Sequence, residues 1–240
     1  MSREYHPKPR VIVVMCTWNR PELFEMTVDC LEQQTGVVPV LYVWNNNLDN
    51  QQHLDKVAAS SRLEIVIHHH HENIGGFGRF YQAKKLADDN EYVVFIDDDQ
   101  VFGPDTLLTL YAEARPRTVY GWWAFQFTSK TPSYWFRRRI KPGQRAHYIG
   151  TCGMIVDASI FKDERLYECP AEFWFIEDLW LCFIANHVLG WDLIATSAEF
   201  EAVLDMKNQA PGLLTKKTKL LRHLVKEGWS IASTRRNVRG

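Results

Sequence analysis

The chain has 240 residues, of which 46% are hydrophobic and 24% charged, and its formal net charge of -1 argues against a general nucleic-acid binder. Its five cysteines include no close C-x-x-C pair, so neither a disulfide framework nor a zinc site is predicted, and a reducing, cytosolic setting fits best. No apolar run is long enough to span a membrane, so we expect at most peripheral contact with one.

Three apolar runs in the first third of the chain predict buried β-strands. They cover residues 10–16 (RVIVVMC), 38–44 (VPVLYVW) and 63–67. Pro21 opens a predicted helix after the first strand, and residues 52–60 predict a second, shorter helix. The apolar face of the first helix comprises Leu23, Phe24, Thr27, Val28 and Leu31. Strands that alternate with helices predict an α/β fold with right-handed crossovers and a mostly parallel sheet.

Histidines occupy positions 68–71, and a glycine-rich segment follows them. Four consecutive histidines before a loop are more often a solvated turn than a metal site. Gly75, Gly76 and Gly78 precede a predicted helix, where glycines let the backbone approach a ligand and aim its N–H groups at anions. Arg79 in the first helical turn would add a forked donor for phosphate. Such turns are common in α/β proteins, so this segment alone is a weak signal.

The stretch 91–102 (EYVVFIDDDQVF) joins a buried strand to three carboxylates without a spacer. Residues 92–96 are apolar and too few for a helix. Asp97, Asp98 and Asp99 would repel one another at the end of that strand unless a cation or water neutralises them. A divalent metal such as Mg²⁺ or Mn²⁺ explains the cluster, because ligands bind at this edge of open α/β sheets. The alternative is a helix cap or a solvated turn.

The chain between residues 104 and 156 has a less regular pattern. Pro104 precedes a predicted helix over residues 105–114. The inward face of this helix comprises Leu107, Leu108, Tyr111 and Ala114. Residues 120–127 and 148–156 predict strands. The segment 130–144 has no clear period, and we expect a surface excursion over the site, because loops of this length are usually functional.

A second acidic pair, Glu177-Asp178, falls at the start of a predicted helix that ends at Gly190. The helix dipole would stabilise both carboxylates there, which is a purely structural explanation. The functional alternative is a general base that is held ionised. Residues 191–195 predict a further strand.

The C-terminal part predicts a basic amphipathic helix over residues 213–229. Its apolar residues are Leu214, Leu220, Leu221 and Leu224, and its charged residues are Lys216, Lys217, Lys219, Arg222 and Lys226. Such a helix can lie on anionic lipid, but a lid that packs onto its own domain is favoured. The tail with Arg235, Arg236 and Arg239 is predicted to be disordered.

Taken in order, these segments resemble the GT-A fold glycosyltransferases, most closely the family 2-like sugar transferases, over residues 10–195. The segments that carry the resemblance are VIVVMCTWNRPE, LYVWNNN, NIGGFGR, YVVFIDDDQVF, GTCGMIV and FIEDLWLCFIANHVLGW. A lone DDD or ED is unspecific, whereas their ordered combination is a strong signal. The resemblance implies a single GT-A (Rossmann-like) domain with a mostly parallel central sheet, flanking helices and a C-terminal helical extension.

The resemblance also divides the chain into functional parts. Residues 1–9 would form an N-terminal tail, and 10–103 the nucleotide-sugar-binding half of the domain. Residues 104–200 would form its acceptor-binding and catalytic half. A C-terminal helix and basic tail would occupy 201–240.

By the same resemblance, the loops after the first strands would bind the sugar donor. The donor-binding residues would be Thr17, Asn19, Arg20, Asn45, Gly76, Arg79, Asp97 and Asp98. Thr17, Asn19 and Arg20 correspond to the loop that holds the nucleotide, and Arg79 would approach the diphosphate. Asn45 would lie near the base at a position that is usually Asp, and an amide both donates and accepts hydrogen bonds.

Asp97 and Asp99 would bind the divalent metal, Mn²⁺ or Mg²⁺. Asp99 would coordinate it directly, and Asp97 would lie near the metal or the ribose. Asp98 should point the other way along an extended backbone, so a structural role is open to it as well. A further metal ligand in such enzymes is frequently His, and the candidates here are Asp205 and His223.

The implied reaction transfers a sugar with inversion from a nucleoside-diphosphate donor, a UDP-sugar being favoured, to a hydroxyl of a glycan or glycolipid. Asp178 would be the general base. Trp122, Trp174 and Glu177 would bind the acceptor. Two alternatives remain open: a sugar-phosphate nucleotidyltransferase, which would release pyrophosphate, and a carbohydrate-binding domain without catalysis. The expected setting is the cytoplasm, at most at the inner face of a membrane.

Overall fold

The computed structural model describes residues 7–129, 131–203 and 212–231. The strands are β1 (Arg10–Thr17), β2 (Val38–Asn45), β3 (Glu64–His69), β4 (Tyr92–Asp97), β5 (Gln100–Phe102), β6 (Thr118–Gly121), β7 (Ala124–Phe127), β8 (Arg137–Arg139), β9 (Tyr148–Ile149), β10 (Met154–Asp157), β11 (Asp192–Ala195) and β12 (Phe200–Ala202). The helices are α1 (Glu22–Glu32), α2 (Gln51–Ser60), α3 (Gly78–Leu86), α4 (Thr106–Glu113), α5 (Glu177–Phe183) and α6 (Leu213–Lys226). Short 3₁₀ turns join several of these elements, and a π-helical turn (Ile184–Val188) follows α5 directly.

A seven-stranded sheet in the order β11-β6-β10-β4-β1-β2-β3 forms the centre of the fold. β10 runs antiparallel to β4 and β6, and the other neighbouring pairs are parallel. Two small antiparallel sheets accompany it, one of β5 with β12 and one of β7 with β8 and β9. The predicted α/β architecture, with a mostly parallel sheet, flanking helices and a C-terminal helix, is therefore confirmed.

The two central strands are buried on both faces. Val13 and Val14 of β1 and Val94 and Phe95 of β4 have no exposed surface. Residues of α1, α2 and α4 pack in one apolar cluster, whereas residues of α3, α5 and α6 pack in the other. Helices on both sides explain why the sequence of these strands is continuously apolar rather than alternating.

Parallel pairing brings several strand ends to one edge of the sheet. Thr17 at the end of β1 pairs with Asn45, and Cys16 pairs with Asp97 at the end of β4. β6 runs in the same direction as β4, because both are antiparallel to β10, so β6 ends at Gly121 at this same edge. The loops that follow β1, β2, β4 and β6 therefore share one edge of the sheet.

The two strands predicted over 120–127 and 148–156 are each split between two sheets, so the prediction of continuous strands was wrong. The first is divided into β6 and β7, and the second into β9 and β10. At Gly153 the backbone adopts φ 75°, and a Cβ atom there would lie 2.7 Å from the ring of Phe200. Glycine permits this conformation and this close approach, and the chain changes sheets beside it.

The predicted inward face of α4 was wrong at one position. Leu107 and Leu110 are fully buried, but Leu108 has 38% of its surface exposed. Helical spacing explains the difference, because Leu107, Leu110 and Ala114 lie on one face at intervals of three and four residues. Ala114 is buried, as predicted.

The solvated turn that we expected for the histidine run is wrong for its first half, because β3 continues through His69; His71 is exposed in the bend that follows. The ring nitrogens of His69 contact the amide of Asn45 at 3.0 Å and the carboxylate of Asp55 at 3.0 Å. The helix that starts at Glu177 ends as predicted, with Gly190 in the left-handed region at φ 68°.

Some predictions lie outside the described residues, namely those for Lys130, Asp205, Arg235, Arg236 and Arg239. The part of the segment 130–144 that is described contributes β8 to a small sheet. In the described parts of the chain, no helix combines the length and the apolar character that crossing a membrane requires.

Candidate active site

A cavity of about 290 Å³ opens at the edge of the sheet where β1 and β4 end. Its lining comes mainly from four places in the sequence: the β1–α1 loop, the end of β2, the glycine-rich segment at the start of α3 and the acidic run after β4; the turn before α5 and the start of α6 add one residue each. The lining residues include Thr17, Trp18, Arg20, Asn46, Gly75, Gly76, Arg79, Asp97, Asp98, Asp99, Phe175 and Leu213. Seven of the predicted donor-site and metal-site residues, namely Thr17, Arg20, Gly76, Arg79, Asp97, Asp98 and Asp99, thus share one cavity.

Arg20 joins the β1–α1 loop to two carboxylates of the acidic run. Its guanidinium lies 2.7 Å from Asp99 and 2.5 Å from Asp98. Thr17 donates a hydrogen bond to the other oxygen of Asp98 at 3.2 Å. Burial raises the pKa of Asp98 to about 7 despite the opposing effect of Arg20. Asp98 therefore faces the β1–α1 loop and fixes the position of Arg20.

Arg79 joins the third carboxylate to the second acidic pair. It lies 2.9 Å from Asp97 and 3.5 Å from Glu177. Thr151 donates a hydrogen bond to Glu177 at 3.2 Å. Burial raises the pKa of Glu177 to about 7, and the nearby Arg79 opposes this shift. A Cβ atom at Gly76 would overlap the Glu177 carboxylate, so glycine is required here to let α5 approach the loop before α3.

Asp97 and Asp99 fit the chemistry of a divalent-cation site. Their side chains keep 35% and 20% of their surface exposed, in contrast to 7% for Asp98. Burial and the neighbouring Asp97 carboxylate both raise the pKa of Asp99, so a cation between the two groups would relieve their repulsion. The described residues contain no ready-made group of three His, Cys, Asp or Glu ligands, and His223 is exposed on α6.

Asp178 is buried beneath the C-terminal helix. One of its carboxylate oxygens accepts hydrogen bonds from the Tyr148 hydroxyl and from Lys217 at 2.6 Å, and the other accepts from the backbone N–H of Leu179 at 2.7 Å. Lys217 also donates to the Tyr148 hydroxyl at 2.8 Å. Tyr134 from the irregular segment donates to the same hydroxyl at 3.3 Å. The carboxylate is therefore held in one orientation by two side chains that are distant in sequence and by the N–H of the residue that follows it.

Lys217, which we listed only among the charged residues of α6, is buried, with 8% of its surface exposed. Its position in the sequence offered a signal that we did not use. Lys217 precedes Leu220, Leu221 and Leu224 by three, four and seven residues, which puts it on the apolar stripe of the helix. A lysine on such a stripe is expected either to extend its amine out to water or to meet a buried anion.

Asn46, for which we predicted no role from the sequence, lines the cavity, whereas Asn45 is not among the lining residues. Asn45 is fully buried, and its amide donates hydrogen bonds to the Asn47 carbonyl and contacts His69. Asn46 lines the cavity, where its amide donates to the Gly75 carbonyl at 3.1 Å and accepts from the N–H of Ile74. A base contact of Asn45 stays a prediction, whereas Asn46 links the end of β2 to the glycine-rich loop.

The two predicted acceptor-binding tryptophans each use a ring face within the protein. Trp174 stacks on Phe77 with ring centres 5.5 Å apart and donates its indole N–H to the Cys169 carbonyl. The guanidinium of Arg139 lies over Trp122, 4.5 Å from the ring centre. These contacts reduce the aromatic surface that either ring could offer to a sugar.

Comparisons with known proteins agree with this arrangement of the chain. The family model for "Glycosyl transferase family 2" matches residues 12–167. No curated protein sequence matches the chain. Among solved structures, the mannosyltransferase PcManGT from Pyrobaculum calidifontis in complex with GDP-Man and Mn²⁺ superposes with a TM-score of 0.60 at 15% sequence identity, over 91% of this chain and 70% of that one.

Two further structures share the fold. A fragment of TarS from S. aureus in complex with UDP-GlcNAc gives a TM-score of 0.62 at 15% identity, over 90% of this chain and 66% of that chain. GalNAc-T7 with UDP, GalNAc and Mn²⁺ gives a TM-score of 0.63 at 9% identity, over 88% of this chain and 47% of the GalNAc-T7 chain. The chain thus spans between about half and two thirds of the length of these two structures.

Proposed function

The chain belongs to glycosyl transferase family 2, and we propose that it transfers a sugar from a nucleoside diphosphate to an acceptor hydroxyl in a metal-dependent reaction with inversion. Residues 10–103 bind the donor in this proposal, and residues 104–200 supply the base and the acceptor site. A UDP-sugar is the first donor to test, because UDP or a UDP-sugar is bound in two of the three similar structures, and GDP-Man in the third.

The observation that carries the proposal is the position of two arginines in the cavity. Arg20 enters from the β1–α1 loop and Arg79 from the first turn of α3; Arg20 pairs with Asp98 and Asp99, and Arg79 pairs with Asp97. A diphosphate offers the same planar guanidinium groups several charged oxygens, with which they can form bidentate hydrogen bonds. Donor binding therefore exchanges carboxylate partners of the arginines for phosphate oxygens.

Asp97 and Asp99 are the residues that would hold the metal. A divalent ion bound there supplies positive charge next to the leaving diphosphate. Arg20 and Arg79 contribute to the same neutralisation, since both lie within hydrogen-bond distance of the acidic run. Asp98 keeps Arg20 in place from the buried side, so its role is to position that guanidinium.

Asp178 removes the proton from the acceptor hydroxyl in this proposal. Its orientation is fixed by Tyr148, Lys217 and the N–H of Leu179. Because Asp178 is buried, a neighbouring side chain such as Lys217 or Tyr148 must give way before an acceptor hydroxyl reaches the carboxylate. A base on the face opposite the leaving group yields a direct displacement with inversion.

A donor panel tests this function against the nucleotidyltransferase and binding-domain alternatives. The protein is incubated with Mn²⁺ and UDP-, GDP- and TDP-sugars, and free nucleoside diphosphate and pyrophosphate are measured separately. We expect nucleoside diphosphate from at least one donor, and chelation of the metal should abolish its release. The proposal is contradicted if pyrophosphate is released instead of nucleoside diphosphate. It is also contradicted if no donor is turned over in the presence of an extract that supplies acceptors.

A further inference from the structure

Arg139 lies against two tryptophan rings at the edge of the acceptor half. Its guanidinium lies 4.5 Å from the ring centre of Trp122 and 4.4 Å from that of Trp123. One terminal N–H donates to the Trp122 carbonyl at 2.7 Å. Two indole rings and a carbonyl therefore fix the plane of this side chain, although it lies at the surface.

This guanidinium has no carboxylate partner among the residues that the structure describes. Its neighbours are aromatic rings and one backbone carbonyl. Partial burial lowers the pKa of Arg139, and the Cys152 thiol opposes this shift. Arg137 has a comparable setting, because it lies 3.9 Å from the ring centre of Tyr134 and donates to the Tyr134 carbonyl, but it is less exposed than Arg139. Arg138 donates instead to the Gln126 side chain at 2.8 Å. Most N–H groups of Arg139 remain available to an oxyanion, since a guanidinium carries five.

The location of Arg139 connects it to the candidate active site. Trp122 and Trp123 directly follow β6, which ends at the same sheet edge as β4 and is separated from it by β10 alone. β6 and β4 are therefore two strand spacings apart, which corresponds to about 10 Å. Residues 150–152 connect the two regions: a Cβ atom at Gly150 would lie 3.0 Å from Trp123 and 3.2 Å from the Cys152 sulfur, and the neighbouring Thr151 donates to Glu177 at 3.2 Å.

We propose that Arg139, held by Trp122 and Trp123, binds a carboxylate or phosphate group on the acceptor, so that the enzyme transfers its sugar to an anionic glycan or glycolipid. This inference rests on the proposed function and names the acceptor class of the same site. An oxyanion of this kind accepts two parallel N–H bonds from a guanidinium whose orientation is already fixed. The tryptophans thus act mainly by holding the arginine.

The experiment measures binding of matched neutral and anionic sugars to the full chain. The probes are methyl glycosides of glucose and galactose, the corresponding uronic acids and the corresponding phosphate monoesters, titrated by calorimetry in the presence of UDP and Mn²⁺. We expect the anionic members of at least one series to bind about tenfold more tightly than the neutral members. The carboxylate and phosphate arms then identify which anion the acceptor carries.

Two variants assign that preference to the proposed residue. Arg139→Gln should remove the preference for anionic sugars, whereas Arg139→Lys should retain part of it. Arg138→Gln, one residue away on the opposite face of β8, is the matched control and should leave the preference unchanged. The thermal unfolding of all three variants shows whether the fold is intact.

The outcomes separate this inference from the proposed function. Equal binding of neutral and anionic sugars, no measurable binding of either, or a preference that survives in Arg139→Gln overturns the anionic acceptor site. Binding of UDP in the presence of Mn²⁺ is measured in a separate titration of the same protein samples and does not depend on Arg139. If that binding is absent as well, the proposed function fails; if it is present, the inference alone fails.

Discussion

The two acidic clusters at this sheet edge have opposite environments. Asp97 and Asp99 lie in an open cavity, and their side chains keep 35% and 20% of their surface exposed. Asp178 is buried and bonded by Tyr148 and Lys217, which belong to other elements. The first cluster can exchange its partners for a ligand without any movement of the fold, whereas the second must open before a substrate reaches it.

The two clusters also differ in how their negative charge is neutralised. The donor side uses arginines, whose several N–H groups can be shared between carboxylate and phosphate. The proposed acceptor side uses a single buried lysine; burial lowers its pKa, but Asp178, Tyr134 and Glu177 together raise the pKa above its ordinary value. Breaking the buried pair should therefore affect folding and catalysis together, while changes on the donor side should affect ligand binding alone.

Replacing the buried carboxylate should give the largest effect on transfer. Asp178→Asn removes the proton acceptor but keeps the size of the side chain, so we expect the transfer rate to fall about a thousandfold. Donor binding, measured by titration with UDP and Mn²⁺, should stay close to the wild-type value. Asp163→Asn, a matched change on a distant 3₁₀ turn, should have little effect on transfer. If Asp178→Asn retained most of the wild-type activity, another group would have to be the base.

Lys217→Met should mainly reduce stability. Removing one partner of a buried ion pair leaves Asp178 without its counter-charge, at a cost of about 3 kcal/mol in the free energy of unfolding. Lys219→Met on the same helix breaks an exposed pair with Glu172 and should cost less than about 1 kcal/mol. Chemical denaturation measures both. Equal destabilisation by the two substitutions would mean that the buried pair contributes no more to the free energy of unfolding than the exposed pair.

Changes on the donor side should give a smaller effect, confined to binding. Asp99→Asn removes one charge from the candidate metal site, so affinity for UDP in the presence of Mn²⁺ should fall at least about tenfold, with unchanged unfolding behaviour. EDTA should weaken UDP binding to the wild type but should have little further effect on the variant. Asp105→Asn, an exposed aspartate nearby in sequence, is the control. Metal-independent binding in the wild type would refute this assignment.

The sequence predicted those parts of the fold and the site that depend on local runs. β1 and β4 are continuous apolar segments, and the carboxylates that follow β4 are contiguous, so their shared edge could be derived from parallel topology. The split strands escaped prediction because glycines allowed the chain to change sheets at Gly121 and Gly153. Lys217 was missed because its partner, Asp178, is 39 residues away in the sequence.

Side-chain direction limited the rest of the site prediction. Alternation along an extended backbone does not apply to Asp98, because β4 ends at Asp97 and Asp98 and Asp99 lie in the turn that follows. Asp98 is more buried than the other two carboxylates, yet Arg20 bonds it together with Asp99. Whether Asn45 or Asn46 faces the cavity depends on where β2 ends, and strand boundaries are not fixed by composition.

The most direct measurement of the central claim is a crystal structure of the protein with UDP and Mn²⁺, with anomalous scattering to locate the metal. The account predicts an anomalous peak between Asp97 and Asp99 and a diphosphate within hydrogen-bond distance of Arg20 and Arg79. It also predicts that Asp178 remains outside the metal coordination shell. A metal peak elsewhere, or a diphosphate bound away from both arginines, would contradict the account.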